Sequence, residues 1–171
     1  MKILITGFPS VGKTTLCKKI FHALKDEIKI GGMITEEIRE QGKRVGFKMT
    51  DLSSGKEGIL AHVDFKSNKR IGKYGVDIEE LENIGISALE NAIQCDLIIL
   101  DEIGPMELLS KRFSDKVEEI FAMPKNILAT IHFRSRHPIR NRRDVELYIL
   151  NEANRNWVAE EIINRIRREE L

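Results

Sequence analysis

The chain has 171 residues, with 28 lysines and arginines against 27 acidic residues and a formal net charge of +1. At about 150 residues per domain, this length reads as one domain, residues 1–171, large enough to bury a core. An apolar content of 42% excludes wholesale disorder, and the near-neutral balance removes the basic excess that argues for nucleic-acid or anionic-membrane binding.

In chain order, Lys2–Thr6 reads as a short buried strand, followed by the glycine-bounded loop Gly7–Gly12. A helix is expected over Lys13–Leu24, with Leu16, Ile20, Ala23 and Leu24 on one face. Ile28–Ile34 is a second apolar run, interrupted by Gly31-Gly32. Met33–Arg39 and Arg44–Thr50 alternate and flank Glu40-Gln41-Gly42-Lys43, the pattern of a β-hairpin. Ile59–Val63 adds a strand after the turn at Ser53-Ser54-Gly55, and the polar stretch Lys66–Tyr74 reads as a loop. Asp77 or a neighbour caps a helix carrying Leu81, Ile84, Ala88, Leu89 and Ala92. The strand Leu97–Leu100 ends in Asp101-Glu102; then come a helix over Phe113–Phe121, a break at Pro124, and strands at Ile127–Phe133 and Val145–Leu150. Trp157, Ile162, Ile163 and Ile166 mark a closing amphipathic helix with Trp157 in the core. The predicted class is α/β: a mostly parallel sheet flanked by helices, with an added antiparallel β section around residues 33–63.

The two cysteines, Cys17 and Cys95, adjoin apolar residues and read as buried free thiols; with the four histidines they form no zinc spacing. No apolar run approaches the ~20 residues of a membrane helix, and the first apolar stretch is too short for a secretory signal. A cytoplasmic protein without a membrane partner is therefore expected.

Gly7-Phe8-Pro9-Ser10-Val11-Gly12-Lys13-Thr14 is a complete GxxxxGK[ST] between a strand and a helix. Glycines allow a tight turn that aims backbone N–H groups at one point, and the following helix N-terminus adds its positive dipole end. Lys13 would reach the β- and γ-phosphates, the Thr14 hydroxyl would ligate Mg²⁺, and Thr15 would donate to the α-phosphate. Leu97-Ile98-Ile99-Leu100-Asp101-Glu102 fits the acidic strand that completes such a site. Asp101 would hold Mg²⁺, while Glu102 points differently and would polarise the attacking water. The base-reading Asn-Lys-x-Asp of a switch GTPase is missing, since Asn68-Lys69-Arg70-Ile71 lacks the aspartate.

With these residues placed, the sequence resembles the small P-loop nucleoside triphosphatases of thermophiles and their relatives called cancer-related nucleoside triphosphatase. The resemblance runs through Gly32-Met33-Ile34-Thr35-Glu36-Glu37-Ile38-Arg39, Asp101-Glu102-Ile103-Gly104-Pro105-Met106-Glu107-Leu108, Arg140-Asn141-Arg142-Arg143-Asp144-Val145 and Asn154-Arg155-Asn156. It implies a RecA-like fold and slow, Mg²⁺-dependent hydrolysis of several nucleoside triphosphates. It also implies that Leu97, Ile98, Ile99, Leu100, Asp101, Glu102, Ile103 and Gly104 belong to the nucleotide site alongside Gly7–Thr14.

Other residues keep two readings. The segment 134–143 holds five arginines and no acid, either a solvated arm or the source of an arginine reaching the γ-phosphate. His132 is a phosphate sensor or a structural residue; Glu107 is a second site acid or a solvated carboxylate at a helix start. Asn154 and Arg155 approach base or ribose, or cap a helix. A nucleotide or nucleoside kinase is the alternative enzyme. A nucleotide-dependent RNA- or protein-binding module is the alternative of another class, supported by the arginine segment alone. A monomer is expected.

Overall fold

A computed structural model of the chain describes residues 1–170. Its strands are β1 (Lys2–Thr6), β2 (Ile30–Glu40), β3 (Lys43–Asp51), β4 (Glu57–His62), β5 (Arg70–Ile71), β6 (Tyr74–Val76), β7 (Leu97–Ile103), β8 (Asn126–Ile131) and β9 (Glu146–Ile149). Its α-helices are α1 (Lys13–Leu24), α2 (Ile78–Glu80), α3 (Ser87–Ala92), α4 (Lys111–Phe121) and α5 (Arg155–Glu170). A π-helical turn, Leu81–Ile86, joins α2 to α3, so the helix expected after Asp77 exists with an irregular middle. Asp77 caps it, accepting from the Glu80 N–H at 3.0 Å.

All nine strands form one sheet in the order β5-β6-β4-β3-β2-β7-β8-β1-β9. Strands β2, β7, β8, β1 and β9 are parallel, and β3, β4, β6 and β5 extend the sheet antiparallel from β2. Strand β2 does both jobs. Its first half pairs with β7 from Ile30↔Leu97 to Ile34↔Asp101, and its second half pairs with β3 out to Glu40↔Lys43. The apolar run 28–34 and the alternating run 33–39 are therefore one strand passing through Gly31-Gly32. The hairpin turn is Gln41-Gly42, both at positive φ, the type I′ geometry that matches strand twist.

Two corrections concern strand boundaries. The antiparallel section continues beyond residue 63, because part of the supposed loop 66–74 pairs as β5 and β6. Strands of two and three residues are too short to show an alternating period. The strand read as Ile127–Phe133 stops at Ile131, which leaves His132 and Phe133 in the loop beyond its carboxyl end.

The parallel strands are covered on both faces, which is why they read as continuous apolar runs. Ile3, Ile5, Leu97, Ile99 and Leu128 pack with Leu16, Cys17 and Ile20 of α1 and Val158, Ile162 and Ile166 of α5. Leu4, Ile98, Leu100 and Ala129 face the other way, towards Leu81, Leu89, Phe113 and Phe121. Trp157 is not in either core: 62% of it is exposed. Val158, Ala159, Ile162, Ile163 and Ile166 define the buried stripe of α5, and residue 157 falls off that arc at 100° per residue. Cys17 is fully buried, whereas Cys95 is only half-buried; both are free thiols.

Candidate active site

The carboxyl ends of β1 and β7, with β8 between them, bring the two predicted motifs together. A Cβ on Gly7 would stand 2.7 Å from the Leu150 carbonyl oxygen, so the loop passes the end of β9 only with glycine there. Gly12, at φ 110°, turns the chain into α1. Lys13, the first residue of that helix, folds its buried side chain back across the loop. Its Nζ donates to the carbonyls of Gly7 (3.0 Å) and Phe8 (3.4 Å) and lies 3.7 Å from Glu102 Oε2. Phe8, Pro9 and Ser10 are exposed at the loop tip, Thr14 is half-buried and Thr15 faces solvent.

The acidic strand presents neighbouring carboxylates to different surroundings. Asp101 is buried, and its Oδ1 accepts from Thr130 Oγ1 at 2.6 Å. Burial pushes its carboxyl up to about 6, against the nearby hydroxyls of Thr130 and Thr14, which favour the charged form. Asp101 Oδ2 completes no hydrogen bond, and neither does the buried Thr35 hydroxyl. Glu102 is only half-buried and turns towards Lys13. The side chains of Leu97 and Ile99, and of Ile98, Leu100 and Ile103, are buried in the two cores and hold the strand in place.

Glu107 corrects one alternative: it is not a solvated helix-start carboxylate. Only 5% of it is exposed, and its Oε2 accepts the Gly104 N–H at 3.1 Å. Burial pushes this carboxyl up to about 8, and the charge on Glu102 adds to the effect. Gly104 makes room for the arrangement, because a Cβ there would lie 2.8 Å from Glu102 Oε1 and 3.0 Å from Glu107 Oε2. The sequence signal is the three-residue spacing from Gly104 to Glu107, at which a glutamate reaches back to a backbone N–H at a helix start.

The other candidates separate. Arg155 Nη1 donates to the Val11 carbonyl at 3.3 Å and its stem lies over Gly12, so α5 buttresses the loop 7–12. Asn154 fastens the turn into α5, donating to the Ile149 carbonyl and accepting from the Asn151 N–H. His132 packs on Phe133, with ring centroids 4.8 Å apart. Arg142 is committed to Asp144, a carboxyl that Arg142 and Lys2 hold well below the usual range.

The donors at this place are hard oxygens: the Thr14 hydroxyl and the Asp101 carboxylate, with one carboxylate oxygen uncommitted. Among the described residues no group of three His, Cys, Asp or Glu forms a ready cage for a metal. Mg²⁺ is ordinarily held by one or two carboxylates together with water and substrate phosphates. The donor set fits that ion.

A mostly parallel sheet with a glycine-bounded loop after its first strand and an acidic strand two places along defines an α/β protein of the P-loop NTPase class. A model of the NTPase family matches residues 2–163, and the chain belongs to that family. It is 53% identical to the nucleoside-triphosphatase THEP1 of Thermotoga sp. (strain RQ2) over 169 residues, covering 96% of this chain and 94% of the relative. It is 49% identical to the THEP1 of Archaeoglobus fulgidus over 164 residues, covering 95% and 96%. Among solved structures, it is similar to crystalline THEP1 from the hyperthermophile Aquifex aeolicus, with TM-score 0.88, 40% identity and coverage of 97% and 99%. It is also similar to the solution structure of a human cancer-related nucleoside triphosphatase, with TM-score 0.83, 33% identity and coverage of 99% of both chains. The RecA-like, helix-flanked sheet expected from the sequence is the observed fold.

Proposed function

We propose that the chain is a Mg²⁺-dependent nucleoside triphosphatase that converts ATP, GTP and other nucleoside triphosphates to the diphosphate and phosphate. The observation that carries this reading is the contrast between neighbouring acids. Asp101 is buried against Thr130 with an oxygen free, while Glu102 emerges at the loop mouth 3.7 Å from Lys13. The backbone N–H groups of 7–12 and the α1 N-terminus bind the phosphates. Lys13, now resting on two loop carbonyls, exchanges them for phosphate oxygens and neutralises charge as it develops. Thr14 and Asp101 hold Mg²⁺, which when bound neutralises phosphate oxygens. Glu102 orients a water and accepts its proton as the water oxygen bonds to the γ-phosphorus; the bond to the β–γ bridging oxygen breaks and the diphosphate leaves. The groups collected here address the triphosphate, which all nucleoside triphosphates share, and this supports broad base acceptance.

The test is Glu102→Gln, which is isosteric but a poor base. It should retain Mg²⁺-dependent triphosphate binding and lose about a hundred-fold or more in phosphate release. Lys13→Ala should lose the binding itself. Hydrolysis at the wild-type rate by Glu102→Gln would remove the water-activating role. Diphosphate formed without phosphate release, and only with a nucleoside or nucleotide acceptor present, would reassign the chain as a kinase.

A further inference from the structure

The phosphate loop carries a side chain that none of this chemistry uses. Phe8 is 73% exposed, and its ring lies 5.3 Å from that of Phe133, in the loop after β8. His132 stacks on the same ring at 4.8 Å, and the Arg134 guanidinium lies 5.1 Å above it. Contact with Phe133 therefore leaves most of the Phe8 ring in water, although such apolar surface is ordinarily buried or functional.

This surface is braced. Arg140 Nη1 donates to the Phe133 carbonyl at 3.2 Å, and the Arg134 N–H donates to His132 Nδ1 at 3.2 Å. Further along, Ile139 is fully buried, and the buried His137 bonds Ser114 Oγ of α4 at 3.0 Å. Arg140 is thus held by the Phe133 carbonyl, and Arg142 is paired with Asp144, which also pairs with Lys2 at the amino end of β1; among the described residues Arg134 and Arg136 form no salt bridge.

We propose that Phe8, Phe133, Arg134 and Arg136 form a binding surface for single-stranded nucleic acid at the mouth of the phosphate loop. Exposed aromatic rings stack on any base, and guanidinium groups free of carboxylates take the phosphates. A free mononucleotide offers one base, whereas two neighbouring rings beside the exposed Arg134 and Arg136 match successive bases and phosphates of a strand. The near-zero total charge does not oppose this, because the segment 134–143 carries five arginines and no acid. The surface goes beyond the triphosphatase reading and does not depend on it.

The experiment is fluorescence anisotropy of a labelled single-stranded oligouridylate of about twelve nucleotides with the full chain, at about 50 to 200 mM salt. Binding should weaken with salt, with a slope of about −0.7 per phosphate neutralised. Phe133→Ala should weaken it about ten-fold or more, and Phe133→Tyr should restore it. Arg134→Gln combined with Arg136→Gln should lower affinity and flatten the salt slope. Thermal melting establishes that each variant is folded; if Phe133→Ala does not fold, the arginine pair carries the test. No binding at low salt, unchanged affinity in the folded variants, or equal binding of an acidic peptide of matched charge would overturn the proposal. Full competition by a nucleoside monophosphate would reassign the surface to a free nucleotide. Phosphate release is measured separately, so failure of strand binding is distinguishable from failure of the triphosphatase reading.

Discussion

Replacing Glu107 by glutamine should make the metal-free protein more stable at alkaline pH and leave it nearly unchanged at acid pH. The glutamine carbonyl can still accept the Gly104 N–H that Glu107 Oε2 accepts at 3.1 Å, so the substitution removes mainly the ability to ionise. In the folded chain burial, reinforced by the charge on Glu102, pushes the Glu107 carboxyl from its ordinary 4.5 up to about 8. The folded protein therefore keeps this proton over a range in which the unfolded chain has released it. The resulting stability is complete below 4.5 and is lost as pH rises through about 8. At about 1.4 kcal/mol per pH unit, the loss amounts to at most about 5 kcal/mol, a large share of a typical domain's stability. Asp101, also raised by burial, acts in the same direction but is present in both proteins, so the comparison isolates Glu107. Urea unfolding in chelated buffer at about pH 5 and about pH 8.5 measures it. The variant should lie within about 1 kcal/mol of wild type at the lower pH and exceed it by a few kcal/mol at the higher one. Parallel stability curves for the two proteins would refute the reasoning, because they would mean that Glu107 is not protonated in the fold.

Gly104→Ala should separate binding from turnover. Its Cβ would crowd Glu102 Oε1 at 2.8 Å and Glu107 Oε2 at 3.0 Å, and a displacement of the order of 1 Å at a reacting centre costs up to about a hundred-fold in rate. Steady-state phosphate release should show the loss in kcat, with triphosphate binding at the loop amides largely retained. In the core, Phe113→Ala should cost about 3–5 kcal/mol in urea unfolding, because Phe113 is fully buried. Trp157→Ser, at an exposed position, should stay within about 0.5 kcal/mol.

What could be read from the sequence was local. Gly7, Gly12, Lys13 and Thr14 fix a loop through short-range backbone geometry, and Gln41-Gly42 fixes a hairpin in the same way. Asp101-Glu102 was legible because an apolar run must end somewhere, and in a parallel sheet it ends where ligands bind. The double pairing of β2 was not legible, since one strand can be parallel on one side and antiparallel on the other without any change in its own pattern. Trp157 is apolar, but on α5 the helical phase decides burial, and residue 157 lies outside the buried arc. Glu107 shows its burial only once the turn 104–109 is folded under Glu102. The contact of Phe8 with Phe133 joins residues far apart in the chain that carry no shared motif.

The three acids Asp101, Glu102 and Glu107 share one lysine, Lys13, which lies 3.7 Å from Glu102 alone. A buried carboxylate without a compensating cation is held in its neutral form, and the raised carboxyls of Asp101 and Glu107 follow from that imbalance. Such an arrangement does not stabilise the chain by itself. It becomes intelligible if the compensation is external: a cation beside the uncommitted Asp101 oxygen would let that carboxylate ionise without the desolvation penalty. It would also lower the field that Glu107 feels. Folding stability and site occupancy are then two readings of the same electrostatic deficit. The overall +1 hides this because the excess acid at the cleft is balanced by cations elsewhere in the chain.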